Sequence, residues 1–325
     1  MGKTRVGLIG CGGFQRHRLG NLLKVDEAEV VALVDPAAEQ IALMREQHPG
    51  TQGLASYPDH QTMLAETRPD AVLIATPHTQ HVNQIMDSFA AGCHVLTEKP
   101  MVTSVEDAHR VIAGRDAAGR VGMVSYQRHF QPEFRQIREM IASGEAGAVH
   151  YITVLQSQEW LRLTKGTWRQ ELALSGGGQL NDSGSHVLDI VLWTTGLSPR
   201  TVSAFCDNKG TEVDINSTMS VLFDGGAMAS IAIIGDGMSW HEEITIWCEN
   251  MAFFVREGKL RIVDRSGSHV ERSEGENGSA DRNFIEAILG RAKCESPFEC
   301  GLEVIRLTEA AWTSSAQDGA PARVS

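Results

Sequence analysis

Three residue types in this chain stand at spacings that suit the oxidation of an alcohol. Asp182 and His186 are four residues apart and Asp189 follows three later, intervals that line side chains along one helix face. Taking a hydride from a carbinol carbon leaves a hydroxyl proton to be accepted, and a histidine held by its surroundings suits that task. A cation beside the same oxygen stabilises the developing alkoxide. Lys99, between an apolar run and Pro100, can supply it. The spacing predicts one helix over 178–195, with Asp182, His186 and Asp189 on a common face.

The hydride also needs an acceptor, and the N-terminal stretch offers a place for one. Arg5-Val6-Gly7-Leu8-Ile9 runs directly into Gly10-Cys11-Gly12-Gly13, followed by Phe14. An apolar run of this kind reads as a strand covered on both faces. Gly10 permits the tight turn, and Gly12 lacks the Cβ that would hold a pyrophosphate off the backbone at the start of the next helix. Gln15 stands where the third glycine of the pattern falls. A second strand over 29–34 ends on Asp35, placed for the ribose hydroxyls of an adenosine. That carboxylate repels a 2′-phosphate, and Pro36, Ala37 and Ala38 bring no arginine, so NAD is expected over NADP.

The elements that position these groups follow the rhythm of a doubly wound sheet. Helices are expected over 14–25, 39–47, 58–66, 82–91 and 104–118, and strands over 70–75, 94–97 and 121–125. The loop Thr76-Pro77-His78-Thr79-Gln80-His81 and the turn Glu98-Lys99-Pro100 fall at carboxyl ends of strands, where ligands of such sheets bind. Beyond Tyr126 the pattern changes. A helix over 132–143 and an alternating strand over 147–156 are followed by short strands separated by Asp224-Gly225-Gly226, Glu249-Asn250, Glu257-Gly258 and Ser266-Gly267, the spacing of an antiparallel sheet. Helices over 281–291 and 301–315 close the chain. Two domains are expected, 1–124 and 125–325.

Composition narrows the partners. The 325 residues carry a formal net charge of −12, which disfavours nucleic acid and anionic membranes. The six cysteines form no CxxC pair and read as thiols of a reducing cytoplasm. The first strand starts within five residues, which leaves no room for a secretory leader, and no apolar run reaches the length of a membrane span. A cytoplasmic protein acting on a small molecule is expected. Hydride transfer needs no metal, and none is assigned to His78, His81, His94 and His129.

These motifs together resemble the glucose-fructose oxidoreductase, inositol dehydrogenase and MocA family. The resemblance rests on Gly10-Cys11-Gly12-Gly13, Asp35, Ala75-Thr76-Pro77 with His81, Glu98-Lys99-Pro100, Trp168-Arg169, and Gly176-Gly177-Gly178 leading to Asp182 and His186. It implies a Rossmann dinucleotide-binding domain followed by an α+β domain with an open-faced, mainly antiparallel sheet. That sheet carries substrate and forms a homodimer or homotetramer. It further implies Lys99, Asp182 and His186 as the catalytic set, with Lys99 and His186 moving the proton and Asp182 holding a substrate hydroxyl. Cofactor contacts carry over to Gly10, Gly12, Gly13, Phe14, Asp35, Thr76, Pro77, His78, His81, Glu98 and Lys99. Substrate contacts carry over to Lys99, Arg128, Trp168, Arg169, Asp182 and His186. His78 and His129 stand where the family often has Asn and Arg. The implied reaction is oxidation of a secondary hydroxyl of a sugar or cyclic polyol. Its alternatives are a glycosidase or epimerase with retained NAD and a non-enzymatic NAD-binding sensor.

Overall fold

The computed structural model describes residues 2–267, 269–271 and 277–325. Its packing divides the chain into two units, one of residues 1–102, 106–127 and 278–301, the other of 103–105, 128–277 and 302–325. A single cut after residue 124 does not include the return of 278–301 to the first unit.

In the first unit, β1 (Thr4–Ile9), β2 (Ala28–Val34), β3 (Ala55–Tyr57), β4 (Ala71–Ile74), β5 (His94–Thr97) and β6 (Gly122–Val124) form one sheet in the order β3-β2-β1-β4-β5-β6. Every pairing in it is parallel. β4 and β6 are buried at every residue, which is why they read as unbroken apolar runs. The order reverses between β1 and β4, so the crevice beyond their carboxyl ends is the switch point where such sheets take ligands. The connecting helices are α1 (Gly13–Leu22), α2 (Ala38–Gln47), α3 (His60–Thr67), α4 (His81–Ala90) and α5 (Val105–Ala118). β3 was not expected: its three residues include two exposed ones and no apolar run.

In the second unit, nine strands form a sheet among the described residues. They are β7 (Val149–Ser157), β8 (Pro199–Asp207), β9 (Asn216–Phe223), β10 (Met228–Ile234), β11 (His241–Cys248), β12 (Met251–Arg256), β13 (Lys259–Asp264), β14 (His269–Glu271) and β15 (Ala322–Arg323). Their order is β14-β13-β12-β11-β7-β10-β9-β8-β15. β7 and β10 are parallel neighbours, and the other pairs are antiparallel. The turns at 224–226, 249–250, 257–258 and 266–267 fall between strands as expected. β7 alternates, with Ile152, Val154 and Gln156 buried and Tyr151, Thr153 and Leu155 exposed. Its buried face packs on α9 (Gly184–Thr195), and α9 packs on α6 (Pro132–Ala142). On the other face Met228, Tyr151 and Trp247, in register on adjacent strands, form an exposed apolar row.

The 158–175 region, which lacks a periodic pattern, contains the short helices α7 (Trp160–Leu163) and α8 (Leu172–Ser175). The helix expected over 178–195 begins only at Gly184. Asp182 therefore lies in the turn before it, and the common helix face for Asp182, His186 and Asp189 does not form.

Candidate functional site

The first unit builds a dinucleotide cradle from the end of β1. Gly10 has φ +90°, and a Cβ added to it would lie 2.5 Å from the Ala75 oxygen, so both conformation and space require glycine. Gly12 is open instead, since an added Cβ would meet nothing within 4 Å. The chain's own packing does not require glycine there. A pyrophosphate lying against the backbone would. Gly12 is also the N-cap of α1 and gives its first turn no side-chain acceptor. The N–H groups after Gly13 and the positive end of this ten-residue helix fit a pyrophosphate. Phe14 is largely exposed on the same turn, while Gln15 is buried.

Asp35 braces this turn. Its Oδ2 accepts from Cys11 N at 2.8 Å and its Oδ1 from Ala37 N at 2.9 Å. Each oxygen retains a lone pair for a ribose hydroxyl. Beside it opens a cleft of about 360 Å³, lined by residues that include Gly10, Val34, Pro36, His60 and Thr76, with room for a nucleoside. Burial, helped by the Asp35 charge, pushes the Cys11 thiol up to about 12, so this turn holds a neutral thiol and no nucleophile.

The loops after β4 and β5 are tied together in the same unit. Thr76 Oγ1 donates to Gln84 Oε1 at 2.6 Å, and Pro77 caps the turn His78–Gln80. His78 is buried with its ring edge-on to His81. His81 is fully buried, its Nδ1 3.0 Å from Pro100 O and its Nε2 3.0 Å from Thr76 O. Burial holds its pKa below the usual histidine value, against the opposing pull of the carbonyls. His81 thus clamps one loop to the other, next to Lys99.

Glu98 points inward. It accepts from Arg18 Nη1 at 2.6 Å, and Arg18 Nε donates to Asp281 Oδ1 at 3.0 Å. Arg18, Glu98 and Asp281 are all buried. This triad joins α1 of the cradle, the end of β5 and the helix Ala280–Ile288. Burial pushes the Glu98 carboxyl upward and Arg18 pulls it back. Lys99, half-buried between buried Glu98 and Pro100, is thereby fixed at its backbone.

The second unit positions the other sequence-predicted residues. Asp214 builds the turn before α9: its Oδ1 accepts from Gly178 N at 3.0 Å and its Oδ2 from Leu180 N at 2.7 Å. Oδ1 also accepts from Trp312 Nε1 at 3.0 Å. A Cβ on Gly178 would lie 1.8 Å from the Asp214 oxygen, so only glycine passes there. Within the turn, Asp182 Oδ2 accepts from Trp160 Nε1 at 2.9 Å and from Arg169 Nε at 3.1 Å. The Arg169 guanidinium lies 4.5 Å over the Trp168 ring, a cation–π arrangement that orients both.

His186 stands in the first turn of a helix whose residues are buried apart from itself and Trp193. Asp189 faces elsewhere, paired with buried His129 Nε2 at 2.9 Å, and the His129 ring stacks on Trp193 at 4.3 Å. Arg128 Nη2 donates to Glu242 Oε2 at 2.6 Å, and Gln156 Nε2 donates to the same oxygen at 3.1 Å.

Arg18, Asp281, Trp160, Asp214 and Glu242 were not found by sequence reasoning. Two of them carry a readable signal. Glu242 is in period-two phase with buried Ile244 and Ile246, and Asp214 sits between Val213 and Ile215, both buried. A charge in core phase needs a partner.

Comparison with known proteins agrees with this geometry. A family model described as oxidoreductase family, NAD-binding Rossmann fold, matches residues 4–126, and the C-terminal domain model of the same family matches 134–253. The rhizopine catabolism protein MocA of Rhizobium meliloti is 30% identical over 61% of this chain and 59% of its own. The D-glucoside 3-dehydrogenase of Escherichia coli (strain K12) is 28% identical over 59% of this chain and 54% of its own. The chain thus spans about half the length of the curated relatives it matches. The fold is shared with the WlbA dehydrogenase of Bordetella pertussis, solved with NADH and UDP-GlcNAcA, at a TM-score of 0.86 and 23% identity over 100% of this chain and 98% of that one. With a cradle that fits a dinucleotide and both family domains matched, the chain belongs to the glucose-fructose oxidoreductase, inositol dehydrogenase and MocA family of oxidoreductases.

Proposed function

We propose that this protein is an NAD-dependent dehydrogenase that oxidises one secondary hydroxyl of a cyclic polyol, an inositol or a pyranose sugar or derivative. The observation that carries the reading is His186, a partly exposed imidazole on a helix buried elsewhere except at Trp193, following the braced carboxylate of Asp182. Relatives named as a D-glucoside 3-dehydrogenase and an inositol 2-dehydrogenase support the substrate class. When bound, NAD supplies the hydride acceptor. The α1 N-terminus with Gly10, Gly12, Gly13 and Phe14 would hold its pyrophosphate and Asp35 its ribose, with Thr76, Pro77, His78, His81, Glu98 and Lys99 around the nicotinamide side. Asp35 and the absence of a following arginine favour NAD over NADP.

In this reading His186 takes the hydroxyl proton and the Lys99 ammonium donates a hydrogen bond to the alkoxide as it forms. Asp182 accepts from a substrate hydroxyl. Trp168 offers an apolar face to a sugar ring, and Arg128 and Arg169 complete the substrate wall. Cofactor binding falls to 1–124, and substrate binding and assembly to 125–325, with a homodimer or homotetramer formed through the open sheet face in the cytoplasm. Lys99→Ala tests the assignment. It should leave NAD affinity within a few-fold and lower turnover by about 10²-fold or more. Unchanged turnover removes Lys99 from the reaction.

A further inference from the structure

The second unit carries the charge pattern of a site for neutral sugars. Two arginines stand among its proposed substrate residues, and each is already matched by a carboxylate. Arg169 donates to Asp182 Oδ2 at 3.1 Å. Arg128 donates to Glu242 Oε2 at 2.6 Å. Glu133 and Asp189, the latter paired with His129, also feel the Arg128 charge, although burial, the larger effect, pushes both carboxyls upward. The 158–175 loop follows the same rule at Arg162 and departs from it at Lys165. Arg162 pairs with Glu159, and Lys165 is solvent-exposed, where water and salt screen it.

The Glu242 group also fixes what the site can recognise. Gln156 and Glu242 are directly opposed across β7 and β11, at the end of a series in which Ile152 faces Ile246 and Val154 faces Ile244. Apolar pairs thus give way to a polar one along the buried face. Because the Gln156 Nε2 is held on Glu242 at 3.1 Å, its Oε1 is left as a buried acceptor, and Arg128 Nη1 is left as a buried donor. The two side chains meet at one carboxylate oxygen, which takes Arg128 Nη2 and Gln156 Nε2. An unmet donor and an unmet acceptor on two side chains that share one carboxylate suit a hydroxyl, which accepts from one and donates to the other. A carboxylate is acceptor-only and meets Gln156 Oε1 and the Glu242 charge with like sign.

We infer that Glu242, through Arg128 and Gln156, sets this enzyme's specificity for uncharged sugars or polyols and against sugar acids. The inference rests on the sugar-dehydrogenase reading above and narrows it. Its test is a binding comparison that needs no turnover. Affinities of the NADH-loaded protein are measured calorimetrically for matched pairs, D-glucose with D-glucuronate and methyl glucoside with methyl glucuronide, in wild type and in Glu242→Gln. Wild type should favour the neutral member by roughly ten- to a hundredfold, the scale of one hydrogen bond to a charged group. Glu242→Gln, which frees the Arg128 charge, should reduce or reverse that ratio. Equal or tighter binding of the acid by wild type overturns the inference, as does a ratio that a folded Glu242→Gln protein leaves unchanged. Binding of neither member also overturns it. NADH formation recorded on the same sugars separates this failure from that of the dehydrogenase reading. If Glu242→Gln does not fold, the wild-type ratio alone decides.

Discussion

Arg18→Met probes the buried triad that joins the cofactor cradle to Lys99. In the native unit one guanidinium satisfies two buried carboxylates, at 2.6 Å from Glu98 and 3.0 Å from Asp281. The methionine fills a similar volume, so the change is electrostatic rather than a cavity. Removing one partner of a buried pair costs about 3–5 kcal/mol because an uncompensated charge remains, and here two carboxylates lose their shared cation. At about 2–4 °C per kcal/mol for a unit of this size, the melting temperature should fall by roughly 6–20 °C. The loss has a definite pH dependence. Without Arg18, burial raises the folded-state pKa of Glu98 above its unfolded value, so stability declines as pH rises from the unfolded carboxylate range toward the raised folded value. The deficit relative to wild type is therefore larger at pH 8 than at pH 5. Urea unfolding followed by circular dichroism at both pH values measures it. Glu98→Gln in the Arg18→Met background should recover a large part of the loss, since it removes one of the stranded charges. A deficit below about 1 kcal/mol, or one that is the same at both pH values, would refute the reasoning.

Other outcomes follow from the same structure. Asp35→Ser removes the carboxylate that braces Cys11 N and Ala37 N and repels a 2′-phosphate. It should weaken NAD affinity and raise the NADP/NAD ratio, both read by fluorescence titration; an unchanged ratio dissociates Asp35 from cofactor choice. His94 accepts from Val121 N at 2.9 Å through Nδ1, and burial, with Arg120 nearby, lowers its pKa to about 4. Its folded pKa lies below the unfolded one, so stability is present above about pH 6.5 and is lost as pH falls toward 4. Allowing for solvent screening of a half-buried ring, the loss is on the order of 1–2 kcal/mol. His94→Gln should flatten that part of a thermal-melt pH series, and an unflattened series contradicts the assignment. Trp247→Glu interrupts the exposed row of Met228, Tyr151 and Trp247. Light scattering should show a smaller assembly than wild type, and identical masses would remove this face from the interface.

Much of the fold could be read because its signals are local. The β1 run, the glycines, Asp35 and the apolar runs of β4 and β5 follow from burial on both sheet faces and from one tight turn. The helix start at Gly184 could not be read. The 178–183 turn resembles helix in sequence, yet Gly178 N and Leu180 N are captured by the Asp214 side chain from 36 and 34 residues away, a tertiary bond that local propensity does not register. β3 has no apolar run because it lies at the sheet edge with two exposed residues. At the candidate site, Asp182 and His186 could be singled out by residue type and spacing, but the partners that hold Asp182, Trp160 and Arg169, sit 22 and 13 residues before it. The core-phase acids Glu242 and Asp214 were missed, although each falls in phase with buried apolar neighbours. Their partners come from distant segments.

Hydride transfer to nicotinamide is the central step of the proposed reaction. Its most direct test is absorbance at about 340 nm, where reduced nicotinamide absorbs, recorded on purified protein with NAD and a panel of inositols, hexoses, glycosides and sugar acids after NAD binding is confirmed in the same sample. Steady NADH formation with a neutral cyclic polyol is the predicted result. A flat trace across the panel from NAD-bound protein would contradict the dehydrogenase assignment.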